Sequence, residues 1–229
     1  MSLAARKIRL IMNLRRSGIT DLRVLAAIER LPRENFVPQP FLDQAYEDKA
    51  LPIGHGQTVS QPQVVAIMTQ ALELKPTHKV LEVGTGSGYQ AALLSRLARR
   101  VYSIERHRPL LREAEARFLA LRLTNIHCRC GDGNLGWPEQ SPFDRIILTA
   151  AATERPQTLL DQLKVGGIMV LPIGPDRGDQ DLIRVRRTDE GFEEETLAGV
   201  RFVPLLPGLG DNGENGDTRQ AGPGRKSLA

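Results

Sequence analysis

Between Lys79 and Ile173 short apolar runs alternate with helix-length segments, and the first run is closed at once by Gly84-Thr85-Gly86-Ser87-Gly88. That pattern predicts strands at 80–83, 101–104, 126–128, 143–148 and 168–173, with helices at 91–97, 108–121 and 157–163 between them. Strand and helix in strict alternation require a mostly parallel sheet, because parallel neighbours need a crossover and the crossover helices cover both faces. The expected architecture is α/β and doubly wound. Beyond it, 181–187, 192–197 and 200–205 read as strands with little helix between them, which predicts an antiparallel edge.

The flanks read differently. Residues 1–35 predict two helices, broken at Ser17-Gly18, the second capped by Asp21 and closed by Pro32. Residues 36–62 hold Pro38, Pro40, Pro52, Pro62, Gly54 and Gly56 and read as a long loop with room for a short strand or helical turn, of the kind that usually carries function. Gly208–Ala229 contains six glycines and no aromatic residue, too little apolar surface to offset the entropy of ordering. The expected division is 1–78 for N-terminal helices and loop, 79–207 for the core, and 208–229 for a disordered tail.

Composition narrows the class. With 229 residues, 41% hydrophobic and 25% charged, the chain matches a globular protein. No apolar stretch approaches the length of a membrane span, and Arg6, Lys7 and Arg9 break any leader-like run. A cytoplasmic monomer with no membrane partner is expected. The net charge is +4 and only 4% of residues are aromatic, which argues against a nucleic-acid surface. Cys128 and Cys130 share one strand face, and with no ligand pair beside them they read as thiols in a reducing compartment, not as a metal site.

Three features along the expected sheet carry chemistry. The glycine turn lets the backbone approach a ligand closely, although a plain strand-to-helix turn has the same look. Its GxGxG spacing is not that of dinucleotide folds, and no Gly-Lys-Ser/Thr follows, which excludes a P-loop. Glu105 ends the next strand, where a carboxylate can accept both hydroxyls of a ribose or simply face solvent. Gly131-Asp132-Gly133 ends the third, where Asp132 can accept from an adenine amine or merely form an Asp-Gly turn. Together and in order they fit a nucleoside-bearing ligand. Ser60, ahead of Pro62 and an apolar helix, is also a natural helix cap. Trp137 reads as a packing anchor, and His55, His78, His107 and His127 as structural or surface groups.

This ordered set resembles class I S-adenosylmethionine-dependent methyltransferases, with a Rossmann-like sheet. The resemblance narrows through Ala45-Tyr46-Glu47-Asp48, the run from Leu51 to Pro62 with its Gln57-Thr58-Val59-Ser60-Gln61-Pro62 core, Val80 to Tyr89, Gly131-Asp132-Gly133, Pro142-Phe143-Asp144, Thr149-Ala150-Ala151, Leu171-Pro172-Ile173-Gly174 and Arg201-Phe202-Val203-Pro204-Leu205. These are similar to the protein-L-isoaspartate O-methyltransferase family over roughly 10–206. Gln63, Val64 and Val65 stand where some members carry histidines.

The resemblance implies methyl transfer from S-adenosylmethionine to the free carboxyl of L-isoaspartyl residues in damaged proteins and peptides, the first step of repair. It implies cofactor contacts from Glu82, Gly84, Thr85, Gly86, Gly88, Glu105, Asp132 and Gly133. Ser60 falls at the reacting centre, and Gln57, Thr58, Val59, Gln61 and Val203 shape a groove for extended peptide. No metal is implied. The competing readings are a methyltransferase acting on RNA or a small molecule, and a non-catalytic binding module of the same fold. Asn212-Gly213 and Asn215-Gly216 in the tail are pairs prone to isoaspartate formation, and so are expected self-substrates.

Overall fold

The computed structural model describes residues 2–176 and 178–210, so the Asn-Gly pairs of the tail lie outside the described residues. Helix α1 (Leu3–Arg16) is capped by Ser2 and buries only Leu10 and Leu14 before the chain turns at Ser17-Gly18. Helix α2 (Leu22–Arg30) begins where the Asp21 carboxylate accepts from the Arg23 amide, and it buries Val24, Leu25, Ala27 and Ile28. Two 3₁₀ turns, Arg33–Phe36 and Gln39–Gln44, follow Pro32.

The Pro- and Gly-rich stretch is not all loop. β1 (Leu51–Gly54) and β2 (Gln57–Val59) form an antiparallel hairpin through His55 and Gly56, at φ +51° and +68°. Positive φ at both connecting residues matches the twist of paired strands. Helix α3 (Pro62–Ala71) then leads to the sheet.

The sheet is built from β3 (Lys79–Val83), then α4 (Tyr89–Ser95), β4 (Arg100–Glu105), α5 (Arg108–Ala120), β5 (Ile126–Cys130), β6 (Phe143–Leu148), α6 (Gln157–Leu160), β7 (Leu163–Ile173), β8 (Gln180–Arg187) and β9 (Phe192–Val200). Its seven strands run in the order β5-β4-β3-β6-β7-β8-β9, with parallel pairing from β5 to β7 and antiparallel pairing at β8 and β9. The expected doubly wound sheet with an antiparallel edge is what forms. Alternate residues feed two cores. Val80, Val101, Ile147 and Val170 face α3, α4 and α5, whereas Leu81, Tyr102, Ile146 and Leu171 face α6 and the opposite layer.

Three local expectations need correction. The 157–163 helix is one turn, because β7 already starts at Leu163. Gly166-Gly167 is not a turn before that strand but an irregularity within it: Phe143 pairs with Leu163 and Arg145 with Ile168, so extra residues bulge outward through Gly166 at φ +74°. Residues 201–205 form no strand of their own; Pro204 makes one bridge to Ala151 beyond the end of β6. Trp137 does anchor packing, edge-on to Tyr102 at 5.3 Å with Arg129 over its ring at 4.6 Å.

Gly88, at φ +88°, starts α4 hard against α5, and a Cβ there would lie 2.7 Å from the Phe118 ring. Left-handed strain and the ring clash add, so Gly88→Ala is expected to destabilise the fold by about 2–4 kcal/mol in urea unfolding.

Candidate active site

β3 lies between β4 and β6, so the chain reverses its winding at β3, and open α/β sheets bind ligands beyond the carboxyl ends of the strands at such a point. The strand ends are level there, Val83 being in register with Ile104 on one side and Leu148 on the other.

The glycine turn fills the gap between them. Gly84, Gly86 and Gly88 all take positive φ, +99°, +52° and +88°. A Cβ on Gly84 would sit 2.2 Å from Thr149 Oγ1, the hydroxyl that donates to the Gly84 carbonyl at 2.6 Å. Only glycine satisfies both the φ and the contact. The next glycine meets the acid of β4: the Gly86 amide donates to Glu105 Oε2 at 2.8 Å, and the His107 amide to Oε1 at 2.9 Å.

Gly133 packs so tightly on β3 that a Cβ would lie 2.4 Å from Val83 Cγ1. Asp132 beside it caps a short turn, accepting from the Asn134 amide at 2.8 Å, while its other oxygen accepts from the Gly208 amide at 2.7 Å. Partial burial pushes the Asp132 pKa up, but the Gly208 and Asn134 donors together outweigh it and hold the carboxyl below its usual range. The chain is thus tied down past the expected start of the tail, since the Gly210 amide also donates to the Arg106 carbonyl.

A cavity of about 750 Å³ opens over these groups. Gly84, Thr85, Gly86, Glu105 and Gly133 line it together with Gln57, Thr58, Val59, Ser60, Gln61 and Val203. The two sets expected from sequence therefore meet in one space. Glu82, Gly88 and Asp132 are not on its walls. Gly88 faces Phe118, Asp132 serves the turn, and Glu82 is fully buried beneath the loop. Ser103 Oγ donates to Glu82 Oε2 and is itself 2.6 Å from Thr85 Oγ1, whereas Glu82 Oε1 has no partner among the described residues.

Ser60 is not the helix cap. Residue Gln61 holds the cap position of α3 without a side-chain bond, and Asp48, far back in sequence, takes that role: Oδ1 accepts from the Gln63 amide at 2.8 Å and Oδ2 from Gln61 Nε2 at 3.0 Å. The Ser60 carbonyl accepts from Arg33 Nη2 at 2.8 Å. Arg33, Asp48 and Thr149 were not marked as functional by sequence reasoning. Of the histidines, buried His78 accepts from the Lys75 amide at Nδ1, exposed His127 stacks on Tyr102, and the rings of exposed His55 and half-buried His107 lie 5.5 Å apart. Cys128 and Cys130 are free, and no metal-binding group of His, Cys, Asp or Glu is present among the described residues. Nor, among those residues, is any helix long and apolar enough to cross a membrane.

Residues 5–209 match the family model of Protein-L-isoaspartate(D-aspartate) O-methyltransferase. The chain belongs to this family. A protein-L-isoaspartate O-methyltransferase of Rhodospirillum centenum is 64% identical over 90% of this chain and 94% of its own length. A relative of the same name from Roseobacter denitrificans is 56% identical over 93% of this chain and its full length. Among solved structures, a protein-L-isoaspartate O-methyltransferase aligns with TM-score 0.79 at 30% identity, covering 89% of this chain and 67% of that one. A Plasmodium falciparum protein assigned the same activity, in complex with S-adenosyl-L-homocysteine, aligns with TM-score 0.75 at 26% identity over 86% of this chain and 97% of its own.

Glu82 gives the methyltransferase core a pH signature. Burial pushes its pKa from 4.5 up to about 8, so the folded protein holds a proton that the unfolded chain releases. The stability from that proton is full below pH 4.5 and is lost as pH rises to about 8. In urea unfolding between those limits, the stability of Glu82→Gln relative to wild type should rise with pH by up to about 1.4 kcal/mol per unit.

Proposed function

We propose that this chain transfers a methyl group from S-adenosylmethionine to the free carboxyl of L-isoaspartyl residues in damaged proteins and peptides, initiating their repair. The observation that carries this reading is the shared cavity, lined by the glycine turn and Glu105 together with the 57–61 segment. The residues present fit the cofactor: a glycine turn whose Gly86 lines the cavity with only Ile53 within 4 Å of where a Cβ would lie, and an acid at the end of β4 for the ribose.

S-adenosylmethionine, when bound, supplies a methyl group made electrophilic by the sulfonium charge. Gly84, Thr85 and Gly86 would hold its methionine part by close backbone approach. Glu105, kept in place by the Gly86 and His107 amides, would accept from the ribose hydroxyls. Gly133 would lie against the adenine, and Asp132 fixes the turn that carries Gly133. Glu82 and Gly88 support this wall from beneath.

The acceptor is a carboxylate, ionised at neutral pH, so no general base is required. Rate then comes from alignment and from removing water around the nucleophile. Ser60 donates its hydroxyl to one acceptor oxygen and leaves the other aimed at the methyl. Gln57, Thr58, Val59, Gln61 and Val203 hold the flanking peptide extended. Recognition through backbone and one displaced carboxyl tolerates many sequences, which suits damaged proteins of every kind. The free thiols support a reducing, cytoplasmic setting, and the reading takes the working unit as a monomer without a nucleic-acid partner.

The test is methyl transfer from labelled S-adenosylmethionine to paired peptides, one with L-isoaspartate and one with aspartate. Base-labile label on the isoaspartyl peptide alone is expected. Cofactor binding with neither peptide labelled would overturn the acceptor assignment. Ser60→Ala is expected to lower kcat by roughly 100-fold with cofactor affinity retained.

A further inference from the structure

Arg33 is the largest fully buried side chain among the described residues. A buried guanidinium normally meets a carboxylate, because desolvating an unpaired charge is costly. Arg33 meets none in an ion pair among the described residues; Tyr89 is the side chain that acts on it most, and Tyr46 and Asp48 act through charge alone. What it contacts is backbone and an aromatic face. Nε donates to the Ala45 carbonyl at 2.9 Å and Nη2 to the Ser60 carbonyl at 2.8 Å. The guanidinium carbon lies 4.6 Å from the centre of the Tyr89 ring, and Nη1 has no partner among the described residues.

These three contacts belong to three separate pieces of the site. Ala45 precedes the segment carrying Asp48, which caps α3. Ser60 sits on the acceptor wall. Tyr89 is the first residue of the helix after the glycine turn, and it lines the cavity. Arg33 itself does not line the cavity. It therefore spans from the acceptor wall to the cofactor wall behind the surface that substrates touch. A planar fork with one face on an aromatic ring holds two carbonyls at fixed separation, which a lysine cannot do.

We propose that Arg33 is a positioning residue for methyl transfer, fixing the Ser60 peptide against Tyr89 so that the Ser60 hydroxyl points at the acceptor carboxylate. This rests on the reading that Ser60 contacts the acceptor. Filling the space with an apolar chain keeps the packing and removes the aim. Loss of a buried unpaired charge offsets the two carbonyls left without a donor.

The experiment compares Arg33→Met, Arg33→Lys, Ser60→Ala and the Arg33→Met/Ser60→Ala double variant. It reads kcat and KM with an L-isoaspartyl peptide, S-adenosyl-L-homocysteine affinity by calorimetry, and Tm. Both Arg33 variants should lose roughly 10- to 100-fold in kcat, while KM and cofactor-product affinity change less than about threefold. Their Tm should move by less than about 5 °C. The double variant should be no slower than Ser60→Ala alone, because the two residues act as one unit. Wild-type kcat in Arg33→Met overturns the proposal, as does a double variant slower than Ser60→Ala by the full Arg33→Met factor. A parallel loss of S-adenosyl-L-homocysteine affinity, or failure of both Arg33 variants to fold, makes Arg33 a general structural residue instead. Wild-type kcat in Ser60→Ala removes the Ser60 reading itself, a different result from normal Arg33→Met beside a slow Ser60→Ala.

Discussion

The site depends on how closely two strand ends approach at a glycine. Val83 and Leu148 are neighbours at the carboxyl edge, and the chain leaves β3 through Gly84, whose missing Cβ is the space taken by the Thr149 hydroxyl. Thr149 then uses that position: its hydroxyl donates to the Gly84 carbonyl and its amide donates to the Val83 carbonyl. This locks the turn at its root. From there Gly86 reaches Glu105, and the acid of one strand is held by the loop of another. Gly84 and Gly86 thus bring backbone to the cavity, whereas Gly88 serves the packing of α4 on Phe118.

Three acids around this turn show how environment divides labour. Glu105 spends one oxygen on the loop and one on the chain after β4, so its orientation is set by donors on both sides. Asp132, fed by the Asn134 and Gly208 amides, stays charged. Glu82, under the loop with a single donor, is pushed by burial into its neutral form near neutral pH. A neutral acid there avoids placing a third negative charge beneath a turn whose Gly86 amide already serves Glu105. Its contact to Ser103, and through Ser103 to Thr85, ties β3 and β4 to the loop.

The core was legible because its signals are local. Alternating apolar runs, a glycine turn after the first and an acid after the second follow from strand period and turn chemistry, and all fall where expected. The failures share a different cause. In 36–62 the short strand and helical turns form as the loop allowed, but the pairing of two strands is masked by Pro52 and two glycines, because a two-stranded ribbon tolerates a proline that a central strand would not. Gly166-Gly167 looked like a turn, since a bulge and a turn use the same residues. Ser60 has the sequence context of a cap, yet the cap comes from Asp48, a contact that no local pattern encodes. Arg33 was invisible for the strongest reason: a charged residue after a proline reads as surface, and only the assembled chain shows it is sealed in.

Both long-range contacts converge on the same few residues. Asp48 fixes Gln61 and Gln63 from one side, and Arg33 fixes Ser60 from the other, so the 60–63 segment is held by the N-terminal part of the chain and not by its own sequence. Proximity chemistry demands such control. An acceptor that is already ionised gains nothing from a histidine base, and the four histidines make a turn contact and ring contacts instead. It gains from being held still, at one distance and angle, in a space that excludes water. The N-terminal helices and hairpin supply that rigidity to a sheet whose own job is to hold the cofactor, so neither part alone makes the site.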